Sequence, residues 1–96
     1  METDIKKRSI AILGSTGSIG TQALEVVRNN PERFEIYALT ANCQVDLLIA
    51  QAIEFQPEVV VIADERHYET LKAALSHLPI KVWAGADAIA QVVESE

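Results

Sequence analysis

Gly14, Gly17 and Gly20 recur at intervals of three in the run Leu13-Gly14-Ser15-Thr16-Gly17-Ser18-Ile19-Gly20, with hydroxyl side chains at Ser15, Thr16 and Ser18 between them. Residues of these types bring bare main-chain amides and hydroxyl donors up to an anion. A side chain in place of a glycine would block a tight turn, the approach of a pyrophosphate to backbone N–H groups, or the contact of a helix with a strand. The spacing is G-x-x-G-x-x-G, one residue longer in its first interval than the usual dinucleotide fingerprint. Its position strengthens it, because the run follows a short apolar segment and opens a stretch with helical periodicity. A helix starting there presents unpaired N–H groups and roughly half a positive charge to whatever lies in front of it. The same glycines without a ligand would make a plain strand-to-helix turn.

A second segment bears on which dinucleotide such a loop would take. In the usual nicotinamide site an acidic side chain about twenty residues past the glycines holds the adenosine ribose and repels a 2′-phosphate. Here that place reads Thr40-Ala41-Asn42-Cys43-Gln44, and the next carboxylate, Asp46, falls inside the following helical pattern. Neutral hydroxyl and amide donors without that repulsion favour NADP over NAD. The segment contains no Arg or Lys to pair with a phosphate. Asn42 or Gln44 would equally serve as a polar cap for the next helix, and Cys43 reads as an ordinary loop thiol.

These segments must be positioned by alternating short apolar runs and helical stripes. Ser9 to Leu13 reads as a buried strand, and Ser18 to Arg28 as a helix with Ile19, Ala23, Val26 and Val27 inward. Asn29-Asn30-Pro31 stops it. Phe34 to Thr40 is a second strand and Val45 to Phe55 a second helix, with Val45, Leu48, Ala52 and Phe55 on its inner stripe and Pro57 barring continuation. Val59 to Ala63 is apolar throughout, as a strand covered on both faces would be. Asp64 caps a third helix carrying Tyr68, Leu71, Leu75 and Leu78, which ends at Pro79. Ile80 to Ala84 is a fourth strand and Ala86 to Glu94 a fourth helix, with Asp87 in its first turn. Four βα units in series imply one domain over residues 1–96: a doubly wound, Rossmann-like parallel sheet in a three-layer α/β/α sandwich. The expected strand order is 3-2-1-4, which would put a ligand crevice between the ends of strands 1 and 4.

Bulk properties narrow the function classes. A chain of 96 residues is too short for a cofactor domain plus a substrate domain with its own cleft. With 49% apolar and 23% charged residues and no apolar run long enough to cross a bilayer, it reads as a soluble globular domain. Met1 to Arg8 is polar and is not a secretory signal. A single cysteine excludes an internal disulfide and fits a reducing, cytoplasmic setting. The net charge of −6, without a visible basic face, argues against nucleic acid as a partner.

Other candidates carry less. Asp64 and Glu65 look like paired carboxylates but suffice as a helix cap and first-turn charge. His67 and His77 lack a cysteine or acid at ligand spacing, so no metal site is expected from them. Trp83 reads as a sheet-covering aromatic in preference to an adenine platform. Lys6, Lys7 and Arg8 are a solvated approach to the first strand, and Glu94 and Glu96 indicate only exposure.

The run Ile12 to Gly20, followed by Val26-Val27-Arg28-Asn29-Asn30-Pro31, Ala38-Leu39 and Phe55-Gln56-Pro57, resembles the N-terminal part of the 1-deoxy-D-xylulose 5-phosphate reductoisomerases. The resemblance covers most of the chain. It implies the NADPH-binding domain of an enzyme that rearranges and reduces 1-deoxy-D-xylulose 5-phosphate to 2-C-methyl-D-erythritol 4-phosphate on a route to isoprenoids. Carried over by position, Gly14, Thr16, Gly17, Ser18, Ile19 and Gly20 would lie at the cofactor's pyrophosphate. Asn42, Cys43 and Gln44 would stand at its ribose phosphate. Many members of the family carry Gly-Lys-Asn in that second segment, so the lysine's charge is absent here. The family also implies a divalent metal, Mg or Mn, and a homodimer, with metal ligands, catalytic acids and lid downstream of this chain. The expectation is thus a fragment with no catalytic residue, no metal ligand and no turnover of its own. A nucleotide-sensing or interaction domain using the same loop is the alternative of a different class.

Overall fold

The computed structural model describes residues 8–95. The readings of Lys6, Lys7, the Glu94 side chain and Glu96 fall outside what is described. Four strands, β1 (Arg8–Ile12), β2 (Phe34–Ala41), β3 (Val59–Ile62) and β4 (Lys81–Ala84), alternate with α1 (Ser18–Asn29), α2 (Val45–Phe55), α3 (Tyr68–Ala74) and α4 (Ala86–Ser95). A single 3-10 turn, Glu65–His67, precedes α3. All strand pairs are parallel.

The sheet order is β1-β2-β3-β4, and the expected order 3-2-1-4 is therefore corrected. Handedness supplies the reason. A right-handed crossover moves the chain across the sheet in a direction set by the face its helix covers. Leu24 and Val27 of α1, Leu48 and Ala52 of α2, and Leu71 and Leu75 of α3 share one core with Ile12, Ile36, Leu39, Val60 and Ile62. Three helices on one face make three steps in one direction, so β4 lands beyond β3. A reversal after β3 would have needed α3 on the other side. Only α4 crosses over, where Val92 packs with Ala38, Val59 and Val61. Strand alternation makes this possible: Val60 and Ile62 point to one layer, Val59 and Val61 to the other, and all four are buried. The three-layer architecture stands, with β1 and β4 as the two edges among the described residues. The crevice expected between their ends is not formed.

The inward face of α1 is also corrected. Ile19 is 83% and Val26 52% exposed, while Gly20, Leu24 and Val27 are buried. Of the expected inward residues Val27 is buried and Ala23 packs against the core, so the expected stripe 19, 23, 26 and 27 is turned by one step from the observed stripe 20, 24 and 27. What selects between them is the packing of Gly20, described below. Asn30 closes the helix, its N–H reaching Val27 O and its Nδ2 donating to Val26 O at 2.8 Å. The third helix begins one turn later than expected and ends at Ala74, so Leu78 lies in the turn beyond it, still packed against the core.

Candidate functional site

The glycine run forms the connection from β1 to α1, and the structure divides its amides into two sets. Gly14, at φ +72°, turns the chain in a conformation that side-chain-bearing residues avoid. Its N–H donates to Thr40 Oγ1 at 3.0 Å, and the Ser15 N–H donates to Thr40 O at 2.8 Å. The Gly17 N–H closes the turn on Gly14 O at 3.0 Å. These three amides therefore build the loop. Those of Ser18, Ile19 and Gly20 are the first of α1, which has Gly17 as its N-cap, no side-chain cap and no acidic residue in its first turn. Among the described residues no acceptor meets them, so they face outward as free donors with the helix dipole behind them. The Ser18 and Ile19 side chains are exposed and that of Thr16 is partly so.

The helices elsewhere begin differently. Asp46 of α2, Glu69 of α3 and Asp87 of α4 place a carboxylate in the first turn, and Asp64 accepts from the Arg66 N–H at the 3-10 turn. Those charges satisfy the local dipole internally. At α1 no carboxylate takes that role.

Ser15 does not add a hydroxyl to this surface. It is fully buried, and its Oγ donates to Gln51 Oε1 at 2.6 Å while Gln51 Nε2 donates back to Ser15 O at 2.9 Å. This two-way clasp between loop and α2 went unread in the sequence, although a signal existed. Gln51 stands three residues after Leu48 and one before Ala52, a polar residue on an otherwise apolar inward stripe. Thr40 is the other positioning residue that sequence reasoning missed, since its buried side chain and carbonyl together hold the loop's first two amides.

Thr40 also ties this loop to the second segment, which begins two residues on. Asn42, Cys43 and Gln44 are all exposed. Gln44 is the N-cap of α2 without a side-chain cap bond, so its amide is not spent on the helix. Asp46 lies within α2, as its place in the pattern implied. The Asn42 carbonyl accepts from the Asp64 N–H at 2.9 Å, which brings the loop after β3 alongside.

In that third loop, Asp64 receives Arg66 Nε at 3.0 Å and Nη2 at 2.7 Å. The Arg66 side-chain and backbone donors hold its carboxyl down from 3.8 to about 2. The depressed value means that the ionised form favours the folded loop at all pH values above its ordinary range. That contribution begins to fade as pH drops below 3.8 and is gone once pH has passed about 2. An NMR titration following the Asp64 carboxyl carbon should place its midpoint near 2 and clearly below 3.8; a midpoint at the ordinary value would show that the Arg66 contact does not persist in solution.

The remaining candidates fall into supporting roles. Glu65 folds against Gly85 instead of pairing with Asp64. His67 Nε2 is 3.9 Å from Asp64, and His77 is exposed. Trp83 packs against the second core cluster beside α4. Among the described residues no three His, Cys, Asp or Glu side chains gather in a way that could hold a metal ion.

Comparison with known proteins agrees with this geometry. The family model for 1-deoxy-D-xylulose 5-phosphate reductoisomerase matches residues 10–96. The reductoisomerase of Bacteroides fragilis is 67% identical over 92 residues, which are 96% of this chain and 24% of that protein. That of Porphyromonas gingivalis is 60% identical over 87 residues, 91% of this chain and 23% of the relative. The chain thus spans about a quarter of the length of these relatives. Among solved structures, the Zymomonas mobilis reductoisomerase in complex with NADPH superposes with a TM-score of 0.86 at 38% identity, over 90% of this chain and 23% of that one. A reductoisomerase in complex with NADPH, fosmidomycin and magnesium gives 0.79 at 36% identity, over 84% of this chain and 20% of the other.

Proposed function

The chain belongs to the 1-deoxy-D-xylulose 5-phosphate reductoisomerase family, and from that premise we propose that residues 1–96 are the NADPH-binding domain of such an enzyme. The observation that carries the reading is the open first turn of α1, whose Ser18, Ile19 and Gly20 amides have no internal acceptor. A pyrophosphate would receive these donors, with Gly14 and Gly17 shaping the turn below them and Thr16 and Ser18 adding hydroxyls. Ile19, apolar and outward, would lie along the cofactor. Asn42, Cys43 and Gln44 would line the ribose 2′-phosphate, where the absence of a carboxylate spares it repulsion. Bound NADPH supplies the hydride for the reduction of 1-deoxy-D-xylulose 5-phosphate to 2-C-methyl-D-erythritol 4-phosphate. This chain's own residues bind and orient the cofactor and perform no proton transfer.

The divalent metal of such an enzyme would be held by residues elsewhere in it, and the magnesium in the complex of the related reductoisomerase suits that reading. The enzyme so assembled is a cytoplasmic homodimer. No helix among the described residues is long and apolar enough to cross a membrane, and the net charge is −6.

Titration of NADPH and NADH, followed by nicotinamide fluorescence, tests the reading. NADPH should bind more tightly than NADH. Ser18→Asp, an exposed substitution that sets a carboxylate among the free amides, should weaken both cofactors by about tenfold or more. No binding of either cofactor in the millimolar range, or an unchanged affinity in Ser18→Asp, would overturn it.

A further inference from the structure

The segment assigned to the ribose phosphate, Asn42-Cys43-Gln44, carries no cation, yet the fold brings one to it from a different loop. Two backbone bonds fasten the loop after β3 to the end of β2: Ala63 N–H to Ala41 O and Asp64 N–H to Asn42 O, both 2.9 Å. Arg66 follows two residues later, on the loop that these two bonds hold against Asn42. Its side chain is 86% exposed, while that of its partner Asp64 is 16% exposed.

The way Arg66 is held suits it to an anion. Nε and Nη2 both bond the Asp64 carboxylate, and the Arg66 N–H caps on Asp64 Oδ1 at 3.0 Å, so the guanidinium plane is fixed at two points. Nη1 has no partner among the described residues. Arginine has five N–H donors in a rigid fork, so one edge can anchor on a carboxylate while the other meets a phosphate. An exposed lysine in the same position would offer a point charge without two separate edges. Asp64 offsets part of the charge, but it also removes the rotamer freedom that an unanchored arginine would lose on binding.

We propose that Arg66, held by Asp64 on the loop bonded to Asn42, is the cationic residue that recognises the 2′-phosphate of NADPH in this protein. The proposal rests on the cofactor reading above and adds a residue outside both sequence segments. Arg66 is here a specificity residue that contacts the cofactor remote from the reacting atoms. It contributes to NADPH and nothing to NADH, which lacks the group.

The test compares NADPH and NADH affinities of the intact reductoisomerase carrying this chain, with Arg66→Ala and Arg66→Lys beside the unaltered enzyme. Arg66→Ala should weaken NADPH by about tenfold, the loss of one charge-assisted contact at an exposed site, and leave NADH within about twofold. Arg66→Lys should recover part of the NADPH affinity. A competition between 2′-AMP and 5′-AMP should show the same selective loss. Equal weakening of both cofactors would mean that Arg66 acts through adenine stacking or loop structure and would overturn the proposal, as would unchanged NADPH binding. Failure of the unaltered enzyme to bind either cofactor would instead overturn the parent reading, so the two failures are distinguishable.

Discussion

Gly20→Ala should destabilise the domain by about 2–4 kcal/mol and weaken NADPH by about tenfold or more, although alanine is the better helix former by about 1 kcal/mol. A Cβ built on Gly20 overlaps Gly14 O and comes within 2.7 Å of Ser15 Cα. Both obstacles are backbone atoms. They are fastened to β2 by the Gly14 N–H to Thr40 Oγ1 bond and the Ser15 N–H to Thr40 O bond. Neither side can yield like a flexible side chain, so α1 must slide away from the loop. The slide opens the packing of Leu24 and Val27 and displaces the very amides that face outward. Gly17→Ala is the internal control, because its Cβ would meet Gly14 O at an ordinary 3.5 Å and its φ of −84° suits any residue. It should cost less than about 1 kcal/mol. Urea unfolding and NADPH titration on the two variants check the contrast, and equal effects would contradict this account of the motif.

The second large effect is expected at Gln51→Leu. Its amide is, among the described residues, the one partner of the buried Ser15 hydroxyl and also donates to the Ser15 carbonyl. Leucine fills most of the volume but strands both groups without water. An unsatisfied buried polar group costs about 1–3 kcal/mol, so the pair predicts a loss of about 2–4 kcal/mol. For a domain of this size that is a large share of a total near 5–15 kcal/mol, and would lower Tm by roughly 10–20 °C. Adding Ser15→Ala to Gln51→Leu removes one stranded group and should recover about 1 kcal/mol or more. Calorimetry of the single and double variants decides this. A single variant as stable as the unaltered chain would show that the clasp is dispensable.

Both predictions concern contacts between residues far apart in the chain, and the same distinction separates what could and could not be read beforehand. The alternation of apolar runs with helical stripes is a local property, so strands and helices were legible to within a residue or two at most boundaries. So was the glycine turn, because a left-handed Gly14 and a helix opening at Ser18 are consequences of neighbouring residue types. The inner stripe of α1 was legible only at Ala23 and Val27. Two stripes of identical spacing compete there, and only the contact of Gly20 with Gly14 and Ser15 chooses between them.

By itself, then, the order of residues determined the βα units, the acid-free helix terminus at Ser18 and the carboxylate-free segment at the end of β2, since each follows from conformational preference or charge within a short window. The tertiary structure alone decided three things: the strand order, the division of the loop's amides into structural and free sets, and the arrival of the Arg66 loop beside Asn42. Strand order depends on which sheet face α3 covers, which is a choice among packings of similar apolar surface. The amides are divided by Thr40, and Arg66 is delivered by the register of β3 against β2; both are pairings across the sheet that no local pattern encodes.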